Sequence, residues 1–152
     1  MINIGLLGCG TVGSGVVELI QKNAAVIARR TGDTIAIKKV LEKEPDKCLA
    51  LGLAIDKITD DINDIIDDPE INIVVELIGG IEPAYSFIIN AMNKGKHVVT
   101  ANKDLIAVKG KELFATADAN QIDFYFEASV AGGIPIIYPL KQSLAGNQIQ
   151  EV

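Results

Sequence analysis

The residue types best suited to chemistry start at Gly8-Cys9-Gly10-Thr11-Val12-Gly13, a GxGxxG near the amino terminus. It follows the apolar run Ile2–Leu7 and opens a segment in which Val12, Val16, Leu19, Ile20 and Ile27 recur at helical spacing. Strand, glycine turn and helix in that order form the fingerprint of a dinucleotide site. Gly8 would permit the tight turn, Gly10 would let the backbone approach a pyrophosphate, and Gly13 would let helix pack closely on strand. The start of the helix then presents unpaired N–H groups and a positive dipole end to the phosphates. A glycine turn that serves helix packing alone is the simpler alternative.

Three later segments place reactive residue types at strand ends. Val75-Glu76-Leu77-Ile78-Gly79-Gly80 sets Gly79 and Gly80 where open α/β sheets bind ligands, on the nicotinamide side, and Glu76 reads as a structurally paired buried acid. Val98-Val99-Thr100-Ala101-Asn102-Lys103 brings a hydroxyl, an amide and an amine together, and Lys103 could hold a carbonyl or carboxylate. Glu127-Ala128-Ser129-Val130-Ala131-Gly132-Gly133-Ile134-Pro135 joins one carboxylate to a glycine-bearing loop whose carbonyls can converge. Such oxygen donors suit a hard monovalent cation better than zinc. Each segment would also serve as a plain strand-to-helix turn or helix cap. His97, the single histidine, precedes its strand and reads as structural.

The second strand, Ile35–Leu41, ends in Glu42-Lys43-Glu44. An acid there favours the free 2′-hydroxyl of NAD, and a cation favours the 2′-phosphate of NADP. Both types are present, and Lys43 tips the reading slightly toward NADP.

The elements that must carry these residues alternate as they do in parallel α/β domains. Strands are expected at Ile2–Leu7, Ile35–Leu41, Ile71–Ile78, His97–Thr100 and Ile122–Glu127. Helices are expected over Thr11 to about Arg30, around Cys48, over Asp61–Asp67 with Ile62, Ile65 and Ile66 inward, over Glu82–Lys94, over Lys109–Asn120, and from near Pro135. Phe87, Ile88, Ala91 and Met92 share one side of the Glu82–Lys94 helix, and Gly95 stands where a positive φ ends it. Gln148–Val152 reads as the start of a further strand. The fold class is α/β, a Rossmann-type doubly wound and mostly parallel sheet with helices on both faces. Residues 1–135 would form the dinucleotide-binding domain, and 136–152 would begin the connection to a catalytic and dimerisation domain.

With 49% hydrophobic and 22% charged residues, 152 residues suffice for one substantial core. Ile71–Ile81, interrupted by Asn72 and Glu76, is too short and too polar to cross a bilayer. The amino terminus carries no export signal pattern. A net charge of −6 argues against nucleic acid. The acids from Asp56 to Glu70 read as a solvated helix face and its turns. Cys9 and Cys48 lack metal-site spacing and read as free thiols of a cytoplasmic protein.

In their order, GCGTVG, VVELIGG, HVVTANK and EASVAGGIPII make the chain resemble homoserine dehydrogenase over nearly its whole length, the last three motifs being the most specific. The resemblance implies NAD- or NADP-dependent interconversion of homoserine and aspartate semialdehyde, an amino-acid substrate, and a homodimer. It implies that Thr11 and Val12 contact the cofactor with Gly8, Gly10 and Gly13, and that Thr100 and Lys103 lie by nicotinamide and substrate. It also implies a sodium-like ion held by the Glu127 side chain and the carbonyls of Val130, Gly132 and Ile134. The substrate-binding segment of the family, with its catalytic lysine, would follow the last residue here, so this chain alone is expected to bind cofactor and turn over little. Many relatives place an arginine near Lys43, which leaves the cofactor choice open. Two other readings are a semialdehyde dehydrogenase using a catalytic cysteine and a non-enzymatic dinucleotide sensor.

Overall fold

In the computed structural model, which describes residues 1–149, strand β1 (Ile2–Leu7) lies at the middle of a six-stranded sheet. Its side chains are covered on both faces, as a central parallel strand requires: Leu6 and Leu7 point to opposite faces and neither is exposed. On one side β1 pairs with β2 (Ile35–Leu41), which pairs in turn with the short β3 (Ile58–Thr59). On the other side it pairs with β4 (Ile73–Glu76), followed by β5 (His97–Thr100) and the edge strand β6 (Phe124–Tyr125). The order β3-β2-β1-β4-β5-β6 is parallel throughout. It is the doubly wound Rossmann arrangement, and the strand order reverses between β1 and β4.

Two cores cover the two faces. Helix α1 (Thr11–Thr31) and the short α2 (Asp46–Ala50) close one face, where Val17, Cys48, Leu6, Val40 and Val75 meet. Helices α3 (Asn63–Ile66), α4 (Ala84–Asn93) and α5 (Lys103–Asn120) close the other, around Ile65, Ile88, Met92, Val98 and Leu113. Gly95 ends α4 with φ 80°, as its place in the sequence leads one to expect. No helix of the described residues is long and apolar enough to cross a membrane.

Several boundaries differ from the sequence expectation. Helix α5 begins at Lys103, six positions before Lys109, because the Asn102 side chain accepts from the Leu105 N–H and caps it. Gly110, which obscures the helix in sequence, is buried where an added Cβ would touch Phe114. Strand β4 stops at Glu76 because that residue's own carboxylate takes the N–H groups of Ile78 and Gly79. Strand β6 is only Phe124–Tyr125, and a 3₁₀ turn over Glu127–Ser129 follows it. The helix expected from near Pro135 is short and wide: helical backbone starts at Ile137 and runs as a π-helix over Pro139–Ser143. Gln148 and Ile149 adopt no regular structure, and the remainder of the expected last strand lies outside the described residues.

The inward face of α1 also differs. Gly13 and Val17 are its buried residues, whereas Val12 is 58% and Leu19 56% exposed. The contact at Gly13 sets the face, and of the apolar repeat Ile20 packs against the core while Val16 and Ile27 are half-buried. Replacing Ile88 by Ala is therefore expected to cost about 2–5 kcal/mol in urea unfolding. Leu19→Ala should stay within about 0.5 kcal/mol. Equal costs would show that α1 buries its apolar repeat after all.

Candidate functional site at the carboxyl edge of the sheet

The glycine loop leaves β1 at the reversal of strand order, where parallel α/β sheets open a crevice. Gly8 has φ 94°, a conformation that side chains rarely adopt, and an added Cβ would press on Ile78. A Cβ on Gly13 would stand 2.1 Å from the Gly8 carbonyl oxygen, so the helix can sit this low on the strand only with glycine there. Around the Cβ position of Gly10, nothing lies within 4 Å. Gly10 is the N-cap of α1 and makes no side-chain cap, which leaves the first N–H groups of the helix for a ligand. Thr11 and Val12 are exposed beside them.

Glu42, at the end of β2, bends back over this loop. One carboxylate oxygen accepts from the Cys9 N–H at 2.9 Å, and the other accepts from the N–H groups of Lys43 and Glu44. Burial pushes its pKa up, but these three backbone donors outweigh burial and hold it below the usual carboxylate range. Both oxygens are thus committed to the backbone. Lys43 is exposed, and with Glu42, Glu44 and Asp60 it lines a cavity of about 460 Å³ that reaches from Gly8 to Gly79. That volume lies in the range of small-molecule sites.

On the β4 side the chain turns through Gly79 and Gly80, with φ 76° and 72°. A buried polar network holds this turn. Glu76 is fully buried, and one oxygen accepts from Ile78 and Gly79 while the other accepts from the Thr100 hydroxyl at 2.6 Å. The Thr100 oxygen accepts from the Asn102 N–H, and the Asn102 amide donates to the Gly80 carbonyl at 2.6 Å. The ends of β4 and β5 and the start of α5 are locked together. The structure therefore brings Gly8, Gly10, Thr11, Val12, Gly13, Gly79, Gly80, Thr100 and Lys103 to one edge of the sheet. Thr100 is 1% exposed and faces Glu76, so it supports the cleft from below. Lys103 is exposed on the first turn of α5. Asn102 is the residue the sequence reading undervalued. An Asn followed by Lys-Asp and an apolar pair is an N-cap signal.

In the segment from Glu127 the side chain is held by the backbone that follows it. Both carboxylate oxygens accept backbone N–H groups, from Ile136 and Ile137 on one and from Tyr138 on the other. Burial raises its pKa and these donors lower it, with a net result below the usual range. The carboxylate caps the following turn. Among the described residues the carbonyls of Val130, Gly132 and Ile134 accept no backbone hydrogen bond, and Ala131 and Gly132 carry φ of 55° and 60°. The loop's own oxygens remain as possible cation donors. Among the described residues no cluster of three or more His, Cys, Asp or Glu could hold a metal.

The remaining candidates are structural. His97 lies at the amino end of β5, where its Nδ1 accepts from the Asp123 N–H. Cys9 and Cys48 are free and fully buried, and burial together with the adjacent Cys9 thiol pushes Cys48 up to about 12. In the acidic stretch, Asp68 and Glu70 both pair with Lys38.

Because the Gly13–Gly8 contact leaves no room, Gly13→Ala is expected to lift α1 off β1 and weaken binding of any dinucleotide at least tenfold, while Gly15→Ala, in open space, should not. Calorimetric titration of both variants checks this. Unchanged binding by the Gly13 variant would remove the glycine loop from the site.

Comparison with known proteins agrees with this geometry. The family model described as "Homoserine dehydrogenase, NAD binding domain" matches residues 8–127. The homoserine dehydrogenase of Bacillus subtilis is 47% identical over 151 residues, which are 99% of this chain and 35% of that protein. The crystal structure of a homoserine dehydrogenase from Thiobacillus denitrificans superposes with a TM-score of 0.90 at 49% identity, over 97% of this chain and 34% of that one. A hyperthermophilic archaeal homoserine dehydrogenase, solved in complex with NADPH, superposes with a TM-score of 0.79 at 25% identity, over 95% of this chain and 49% of that one. The chain thus spans about a third of the length of the curated relatives it matches. It belongs to the homoserine dehydrogenase family and corresponds to that family's nicotinamide-dinucleotide-binding domain.

Proposed function

We propose that this chain serves a homoserine dehydrogenase that interconverts L-homoserine and L-aspartate 4-semialdehyde in the route to threonine and methionine. Residues 1–135 form its cofactor domain, and 136–152 begin the connection to a catalytic and dimerisation domain of a cytoplasmic homodimer. The observation that carries this reading is the meeting of the glycine loop and the Ile78–Gly80 turn at the switch point between β1 and β4. Gly8, Gly10, Thr11, Val12 and Gly13 hold the pyrophosphate. Gly79 and Gly80 line the nicotinamide end, with Thr100 beneath, and Lys103 reaches toward the substrate carbonyl. When bound, the nicotinamide supplies or takes a hydride. The residues of this chain fix its orientation toward the cleft, and correct orientation lowers a barrier by removing an entropic cost.

The 2′ end of the cofactor favours NADP. Both oxygens of Glu42 already accept backbone N–H groups, which leaves the acid less able to hold a free 2′-hydroxyl, while Lys43 lines the same cavity. The cysteine-dependent alternative is disfavoured, because two fully buried thiols cannot meet a substrate. Titration calorimetry with NADPH and NADH tests the assignment. NADPH should bind more tightly, and Lys43→Ala should weaken NADPH about tenfold, the weight of one charge-assisted hydrogen bond, while leaving NADH within about twofold. Tighter NADH binding would overturn the preference, and no binding of either would overturn the domain reading.

The Glu127 side chain and the carbonyls of Val130, Gly132 and Ile134 are assigned to a sodium-like ion. At equal ionic strength, sodium chloride should then raise the thermal midpoint above its value in tetramethylammonium chloride, because an ion bound only by the folded state stabilises it. Identical midpoints would dismiss the site.

A further inference from the structure

Among the described residues, Glu76 is the carboxylate that is buried completely. It lies on β4 at the carboxyl end, paired with Leu7 of β1 on one side and Thr100 of β5 on the other. Neighbouring strands run about 5 Å apart, so Glu76 sits one strand's width from the residue that starts the glycine loop. Its oxygens are satisfied by two backbone N–H groups and one hydroxyl, and none of the ion pairs among the described residues includes it. All three groups donate to the Glu76 oxygens, the pattern that a carboxylate accepts. The Ile78–Gly79 turn that it holds lines the cavity, so a carboxylate there acts across one turn of backbone with little screening.

We propose that Glu76 is the electrostatic element that makes the nicotinamide end of the cleft favour the oxidised, cationic ring over the reduced, neutral ring. The inference rests on the dinucleotide reading above. The physical ground is the asymmetry of charge: a fixed carboxylate attracts a ring that carries a positive charge and has no net charge to attract in the reduced form. The same field favours transfer of the hydride, with its electron pair, from the reduced ring to a carbonyl carbon, because positive charge grows on the ring as the hydride departs. Glu76 touches neither ring nor substrate. It acts through the field and, by way of Thr100 and Asn102, through the shape of the Gly79–Gly80 turn. Lys103 has the opposite sign but is exposed, where water and salt weaken it.

The test is titration of the purified chain with the oxidised and the reduced form of one cofactor, for the wild type, Glu76→Gln and Thr100→Val. Glutamine keeps the shape, an oxygen for the Ile78 and Gly79 N–H groups, and an amide that can donate to the Thr100 oxygen, but removes the charge. Glu76→Gln is expected to weaken the oxidised form about tenfold more than the reduced form. Thr100→Val leaves the Glu76 side chain in place and disturbs the turn it holds, and should weaken both forms alike. Equal weakening by Glu76→Gln would reduce Glu76 to a structural part and overturn the proposal. Should that variant fail to fold by circular dichroism, the wild-type ratio of oxidised to reduced affinity decides across a tenfold range of salt. A ratio above one that holds in salt supports a buried charge. A ratio that falls with salt, or lies below one throughout, overturns it. Failure of the wild type to bind either form would overturn the dinucleotide reading itself, and this inference with it.

Discussion

The close approach of α1 to β1 is the contact on which the site depends. Position 13 can lie against the Gly8 carbonyl only without a side chain, and that contact sets both the height and the rotation of the helix over the sheet. Height brings the helix N-terminus down to the strand ends, where unpaired N–H groups meet the crevice. Rotation buries Val17 and leaves Val12 and Leu19 outward. A similar constraint acts on the other face, where a Cβ on Gly5 would stand 2.4 Å from a methyl group of Ile65. Each helical layer therefore depends on one glycine, Gly13 in α1 and Gly5 in β1.

The parallel sheet makes a single functional edge possible. Every strand delivers its carboxyl end to the same side, so three loops distant in sequence converge without any long connection. What parallel strands do not supply is rigidity in those loops, and here buried polar groups supply it. Glu42 ties the end of β2 to the glycine loop, and Glu76, Thr100 and Asn102 tie β4 to β5 and to the cap of α5. No buried side-chain nitrogen or oxygen among the described residues lacks a partner. A half-satisfied network would destabilise the loops it is meant to hold.

Strand spans such as Ile2–Leu7, Ile35–Leu41 and His97–Thr100 were legible in the sequence because buried parallel strands read as short runs rich in apolar and β-branched residues, ended by glycine or polar residues. The glycine loop was legible because each of its glycines answers a local steric need. The start of α5 was not, because Asn102 serves at once as a cap and as a network member, and Gly110 interrupts the propensity signal. The backbone partners of Glu127 were hidden for a different reason. A carboxylate beside a glycine loop looks like a ligand for a cation, and three backbone N–H groups also hold it from residues nine to eleven positions later in the chain. Local spacing does not reveal a partner brought in by the fold.

The same distinction bears on cofactor choice. Sequence presents Glu42 and Lys43 as neighbours of opposite charge competing for one ribose, and nothing in their order ranks them. Packing separates them. Cys9 of the glycine loop takes one oxygen of Glu42, and Lys43 and Glu44 take the other, so the acid ties the end of β2 to the glycine turn. Lys43 gives its N–H to the same carboxylate and lines the cavity, and among the described residues its ammonium forms no ion pair. An acid at the end of β2 is therefore not sufficient to infer a ribose contact. Its oxygens also serve the backbone, one accepting from Cys9 of the glycine loop and the other from Lys43 and Glu44 just after the strand.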